Sequence, residues 1–268
     1  MENNKVKSNK TISRAIDILE YIANINKPVS MATISKELAI PKSSSFDIMH
    51  TLVEKKMLKM NEETKEFQLD IKSFEIGSAY LSRNDVHTVA RPILKQLSLQ
   101  TTETAFLVVE NHGMIVYLDK VEGKSPTRTT CVIGSRNPMH CTGLGKAILA
   151  TMPIETIRRI TGGGNLEVRT SNTLTNFDDL MLNLESIRQR GYSIDNREDS
   201  DFVFCVAAPI LNKDRECIAA ISISTVYTSV TEENVDLFSQ LITNAALEIS
   251  SKFGYIEPTL YPIDTYGI

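Results

Sequence analysis

Residues 29–60, VSMATISKELAIPKSSSFDIMHTLVEKKMLKM, constrain this chain more than any other stretch, because they spell two short helices joined by a tight turn. Ser30 can cap a helix whose apolar positions Ile34 and Leu38 lie four apart. Ala39-Ile40-Pro41 stops it, since the residue before a proline is pushed out of the helical region, and a second helix starts with Pro41 in its first turn. On a wheel of residues 43–54, Phe46, Ile48, Met49, Leu52 and Val53 fill one side, leaving Ser43, Ser44, Asp47, His50, Thr51 and Glu54 on an all-polar outer side. Two helices so related can lay the second in a major groove, where short hydroxyl side chains meet phosphates and base edges. The plain alternative is a helical hairpin buried in a core.

The surroundings favour the first reading. Residues 11–24 place Ile12, Ala15, Ile16, Leu19 and Ile22 on one stripe, giving a first helix to pack behind the other two. Residues 57–60 and 66–69 flank the polar turn Asn61-Glu62-Glu63-Thr64-Lys65 and read as a hairpin, the wing of a winged helix. Charge divides at the same place: residues 1–60 hold ten Lys and Arg against six Asp and Glu, a net of +4, while the remainder nets −8. A positive field confined to the N-terminal part is where counterion release would act.

With 268 residues, 42% of them hydrophobic, the chain is long enough for two cores. Residues 73–81 are amphipathic and fall at the change of charge, so they are expected to form a linker helix whose Phe74 and Tyr80 pack either on a second subunit or on their own chain. A helix over 86–99 follows, then strands at 104–109, 114–121, 127–133, 191–196, 202–211 and 217–226, with helices at 145–151, 154–160, 177–190 and 232–252. The tail, 255–268, has Pro258 and Pro262 and no periodicity, and is expected to be extended or loosely packed. The fold class is therefore α+β: an N-terminal winged helix-turn-helix domain (1–70, ordered core from about 11), a linker helix (71–85), an effector domain with a mixed, largely antiparallel sheet (86–252) and a tail (253–268).

No apolar run reaches 18 residues and no leader-like segment opens the chain, so a cytoplasmic protein without membrane partners is expected. Cys131, Cys141, Cys205 and Cys217 form no C-x-x-C pair, and His50, His87, His112 and His140 show no ligand spacing, so neither a metal nor a cofactor is expected. G-x-x-x-x-G-K-[ST] would need glycine at His140 and a hydroxyl at Ala147, which excludes a nucleotide loop at Lys146.

Three further segments, GSRNPMHCTGLGKAILA at 134–150, GYSIDNREDSDFVFCVAAPI at 191–210 and AAISIS at 219–224, together with the winged helix and its PKSSS turn, strongly resemble the IclR family of bacterial transcriptional regulators over about 11–252. The resemblance implies a winged helix that binds double-stranded operator DNA, a C-terminal GAF-like domain that binds a small organic-acid effector, and assembly as a homodimer or a dimer of dimers, with no catalytic residue. DNA contacts are expected from Lys42, Ser43, Ser44, Ser45, Asp47, His50 and Thr51, with Lys55 and Lys56 available for phosphates. Asp47 departs from the family, which usually places arginine there in P-K-S-T-x-x-R-L-L; an aspartate repels phosphate and accepts only from a donor such as cytosine N4.

Effector contacts are implied at Thr129, Gly143, Leu144, Asp195, Cys205, Ser222 and Ser224. Small residues at 143–146 leave helix N–H groups open to a carboxylate, Ser222 and Ser224 share one strand face, and Leu144 and Cys205 supply apolar walls. Phe202 and Phe204 are read as core, 196–201 as a solvated loop, and Gly162-Gly163-Gly164 as a flexible connection. Two alternatives stay open. One is an enzyme acting on a small acid through Cys205 or Cys141 with His140 as base; the other is a sensor whose DNA binding is weakened by Asp47 and Glu54.

Overall fold

A computed structural model describes residues 9–25, 27–82, 85–129 and 131–262, with the side chains of residues 81 and 82 left aside. The chain divides into two compact units, residues 1–83 and 84–268. Residues 1–8, 83–84 and 263–268 of the expected DNA-binding domain, linker and tail lie outside the described residues.

In the N-terminal unit, α1 (Lys10–Ile25), α2 (Met31–Glu37) and α3 (Lys42–Glu54) close over a core of Ile18, Ile22, Val29, Ile34, Ile40, Ile48, Met49, Leu58 and Phe67. Ser30 caps α2 as expected, its hydroxyl accepting the Thr33 N–H at 3.2 Å. Ala39 takes a left-handed φ of 51° at the turn, and Pro41 sits at the N-cap of α3, one place before the helix starts. The wing is β2 (Leu58–Met60) paired antiparallel with β3 (Glu66–Leu69), and a two-residue β1 (Val29–Ser30) adds to the far side of β3. The linker helix α4 (Ile71–Ser82) leaves Phe74 68% and Tyr80 58% exposed.

The C-terminal unit is one six-stranded sheet in the order β6-β5-β4-β9-β8-β7, every pairing antiparallel. Its strands are β4 (Thr104–Asn111), β5 (Met114–Val121), β6 (Arg136–Pro138), β7 (Ser193–Asn196), β8 (Val203–Leu211) and β9 (Cys217–Val226). The β4–β5 turn is of the type whose two central residues both need positive φ, met by His112 at 53° and Gly113 at 78°. Helices α5 (Asp85–Thr101) and α9 (Glu232–Lys252) pack on each other and on the sheet, while α6 (Gly143–Leu149) packs on β7, β8 and β9 with α8 (Phe177–Arg190) against it. A short α7 (Ile154–Thr161) lies between them in the chain and ends on Gly162 with a left-handed φ of 76°. β8 and β9 are buried along almost their whole length on both faces, which is why they read as near-continuous apolar runs.

Two expectations need correcting. No strand forms among the described residues of 127–133: residues 127–129 and 131–133 are irregular, and β6 is the third strand of that edge. The β-branched run Thr127 to Ile133 fits a strand by composition, but its described residues carry no ladder; just past its end the Gly134 N–H donates to the Tyr117 carbonyl at 2.8 Å and the Tyr117 N–H to the Ser135 carbonyl at 3.1 Å. The sheet is of the expected, largely antiparallel kind, with every pairing among the described residues antiparallel. The described part of the tail, 255–262, is not loosely packed: Tyr255, Leu260 and Tyr261 are buried, and the Tyr261 hydroxyl donates to the Ala147 carbonyl at 3.1 Å. Two aromatic rings and a leucine give the tail enough apolar surface to be held down despite its prolines.

Candidate DNA-reading face and effector cavity

The outer face of α3 carries Lys42, Ser43, Asp47, His50 and Thr51 exposed, with Ser44 half-buried beside them. Ser45 does not belong to this face. It is fully buried, and its hydroxyl has no hydrogen-bond partner among the described residues. The reason is spacing: Ser45 lies three and four residues before Ile48 and Met49, on the stripe that faces the core. Phe46 makes the opposite exchange. Three residues after Ser43 and four before His50, it is 49% exposed, so the outer face is not all polar. Its ring lies 4.1 Å from the His50 ring, centroid to centroid, tilted by 42°. Thr51 donates its hydroxyl to the Asp47 carbonyl at 2.7 Å, which leaves only its lone pairs for a partner.

In the C-terminal unit a cavity of about 190 Å³ is lined by Thr129, Gly143, Leu144, Asp195, Cys205 and Ser224. These are six of the seven effector positions, drawn from β7, β8, β9, the N-terminal turn of α6 and the irregular segment after β5. Register explains the convergence, since Asp195 pairs with Cys205 and Cys205 with Ser224 across adjacent strands. The remaining position, Ser222, is buried one pleat further along, its hydroxyl 3.5 Å from that of Ser224. Gly143 is required by contact: a Cβ there would stand 2.6 Å from the Cys205 sulfur. Gly145 is required by a different one, the Met139 carbonyl at 2.3 Å. The Thr142 hydroxyl accepts the Gly145 N–H at 3.1 Å and so caps α6.

Several lining residues were not foreseen, among them Phe106, Tyr117, Asn137 and Asp199. Asp199 belongs to the run read as a solvated loop. The middle of that run is built in, while Asn196 and Asp201 at its ends are exposed: Asn137 donates to Asp199 at 2.9 Å, Arg169 pairs with it at 3.3 Å, and Glu198 meets the fully buried Lys146 ammonium at 2.5 Å. The Glu198 N–H in turn donates to Asp195 at 2.7 Å. Alternating charged residues after a strand signalled only solvent; the buried Lys146 that answers them sits 52 residues away in sequence. Phe202 is likewise not core. It precedes β8 and is 74% exposed, whereas Phe204 is buried as expected.

The cavity lining contains two aspartates and neither lysine nor arginine. Burial pushes the Asp195 carboxyl up to about 7, opposed by the Glu198 N–H and aided by the Glu198 charge. At neutral pH it is therefore partly protonated and can donate. Burial also raises Tyr117 and keeps its phenol neutral. Thr129 spends its hydroxyl proton on the Ser224 carbonyl, 3.3 Å away.

Burial raises the thiols too, Cys205 to about 12 and Cys131 to about 11, and it raises Cys141, which lies 3.8 Å from the Asp199 carboxylate. Thiols held neutral are poor nucleophiles. His140, the base of the enzyme reading, is buried with Nε2 2.9 Å from the Glu167 carbonyl. Among the described residues no group of three or more His, Cys, Asp or Glu is placed to hold a metal ion, and no helix is long and apolar enough to cross a membrane.

Residues 11–61 match the family described as the IclR helix-turn-helix domain, and residues 78–251 match the bacterial transcriptional regulator IclR C-terminal domain. The HTH-type transcriptional repressor AllR of Salmonella paratyphi A is 30% identical over 252 residues, 94% of this chain and 93% of that protein. The crystal structure of the Thermotoga maritima IclR is 32% identical, with a TM-score of 0.77 over 91% of this chain and 99% of that one. An IclR homolog from Microbacterium hydrocarbonoxydans, crystallised with 4-hydroxybenzoate, has the same fold at 17% identity, with a TM-score of 0.80 over 91% and 99%.

Proposed function

The chain belongs to the IclR family of bacterial transcriptional regulators, and from that premise we propose that it is an effector-controlled repressor: α3 reads operator DNA and the cavity above Asp195 takes a small organic acid. The observation that carries the effector reading is the cavity itself, where Asp195, Cys205, Ser224, Gly143, Leu144 and Thr129 meet with Ser222 behind them. With no cation in the lining, a carboxylate ligand is received by neutral donors, the protonated Asp195, the Ser224 hydroxyl and the Tyr117 phenol. Keto, sugar and aromatic acids all fit this donor set.

Lys42, Ser43, Ser44, Asp47, His50 and Thr51 form the DNA-contacting group, with Lys55 and Lys56 as further phosphate contacts. The chain acts as a homodimer or dimer of dimers, and the exposed Ile71, Phe74, Ile76 and Tyr80 of α4 are the apolar surface available for pairing with a second copy. Effector binding shifts the placement of the two winged helices in a dimer and hence their fit to two half-sites.

A thermal-shift screen of the purified protein against keto, sugar and aromatic acids tests this. A ligand at a hundred times its Kd adds about 2.7 kcal/mol of stability. The gain disappears when Ser222 and Ser224 are both changed to Ala; a hit that survives that change places the ligand elsewhere. A second reading, a sensor with weakened DNA binding, is favoured by the exposed Asp47 and Glu54. Asp47→Arg is expected to bind DNA more tightly and less selectively, and unchanged or weaker binding removes Asp47 from the groove.

A further inference from the structure

An aromatic side chain is the least expected group on a face meant for DNA, and α3 presents one. Phe46 is 49% exposed on the side of the helix that carries Ser43, Asp47 and His50. Its neighbours there are shorter than a phenyl ring or lie beside it, so the ring is the largest apolar group on that face. It is also held in place. The His50 ring stacks on it at 4.1 Å, and the His50 ring in turn meets the edge of Phe67 at 6.4 Å and 85°. Phe67 is buried in β3, opposite Val29 and Met60 in the ladders. The three rings run from the core of the wing out to the reading face, and each limits the freedom of the next.

In the major groove thymine alone among the four common bases offers a methyl group, and apolar side chains recognise it by contact. We propose that Phe46 is a specificity-determining residue that packs on a thymine 5-methyl group in each half-site, with His50 as the positioning residue behind it. The proposal rests on the reading that α3 enters DNA. It complements Asp47, whose carboxylate can accept only from a donor such as cytosine N4. The adjacent pair Phe46 and Asp47 thus reads one methyl group and one base amino group, the latter on cytosine N4 or adenine N6. The positive charge of residues 1–60 fits the same occupant.

The test uses the full-length protein and a random duplex library to recover a bound site, followed by replacement of each thymine in that site by deoxyuridine, which removes only the methyl. One buried methyl corresponds to about a fourfold change in affinity, so a single thymine in each half-site should weaken binding by about that factor when replaced. The loss should vanish in Phe46→Ala, which tolerates uracil and thymine equally. A recovered site that is indifferent to uracil at every position overturns the proposal, and the measurement on the unaltered protein decides this even if the alanine variant binds too weakly to titrate. A uracil penalty that persists undiminished in Phe46→Ala also overturns it, because another group then reads the methyl. Failure to recover any site overturns the DNA-binding reading first and this inference with it.

Discussion

The two units solve opposite problems with their interiors. Among the described residues of the N-terminal unit, Ser45 is the only polar side chain that is buried, and the rest of that core is aliphatic apart from Met49 and Phe67. The C-terminal unit buries Lys146, Glu198, Asp195, Glu103, Asp119, His140 and both Ser222 and Ser224. A winged helix works through its outside, so its interior only has to be a dry wedge that holds α3 rigid. A sensor works through its inside and must keep polar groups where water is scarce but a ligand can reach them. Those groups are stabilised by one another: the Lys146 pair anchors Glu198, and the Glu198 N–H anchors Asp195 at the cavity wall.

The sharpest way to break that contrast is Lys146→Met. It strands the Glu198 carboxylate, one of whose oxygens already has no partner, and should cost about 3–5 kcal/mol in chemical denaturation. Adding Glu198→Leu should recover most of the loss. A cost below about 1 kcal/mol for the single change would mean the ion pair is not what holds this wall.

Next in size is the effect of pH through Asp195. Its ordinary carboxyl value of 3.8 is raised to about 7 in the folded chain, so between those limits the folded form binds more protons than the unfolded one. Stability contributed by this group therefore falls as pH rises from about 4 to about 7 and is level above, a swing on the order of a few kcal/mol. Asp195→Asn should remove that descent. Denaturation curves at steps of pH that keep the same slope in both proteins would assign the descent to other groups.

Gly143→Ala brings a methyl against the Cys205 sulfur and should cost about 1–3 kcal/mol. Cys205→Ala in the same chain clears the space, so the two changes should be strongly non-additive, and simple additivity would show that the clash is relieved by other means. The smallest effect is expected in the dry interior. Ser45→Ala removes a buried hydroxyl that has no partner and should raise stability by up to about 1 kcal/mol. A loss instead would reveal a hydrogen bond made by that hydroxyl in solution.

Much of this was legible in the residues, because local periodicity records which face of an element is buried. The bounds of α8 and α9, the capping by Ser30, the wing and the β4–β5 turn all follow from signals within a few residues of where they act. Even the two reversals on α3 had a local sign: Ser45 falls on the spacing of Ile48 and Met49, and Phe46 on that of Ser43 and His50, but residue type outweighed spacing in reading them. The cavity is a different case. The family resemblance supplied its seven positions, and six of them line it.

What the sequence by itself determined, then, is the order and type of most of the elements, the division of charge between two units, and a helix-turn-helix whose second helix has a largely polar outer face. These depend on interactions between residues close in the chain. Only the tertiary structure decided that the described part of the tail packs down, that the described residues of 127–133 form no strand, and that Glu198 in the charged run after β7 is buried. Two of those turn on a partner far away in the chain: Tyr261 on Ala147, and Glu198 on Lys146. A charged side chain is stable inside only when its counter-charge is brought to it, and no local pattern records where that counter-charge will come from.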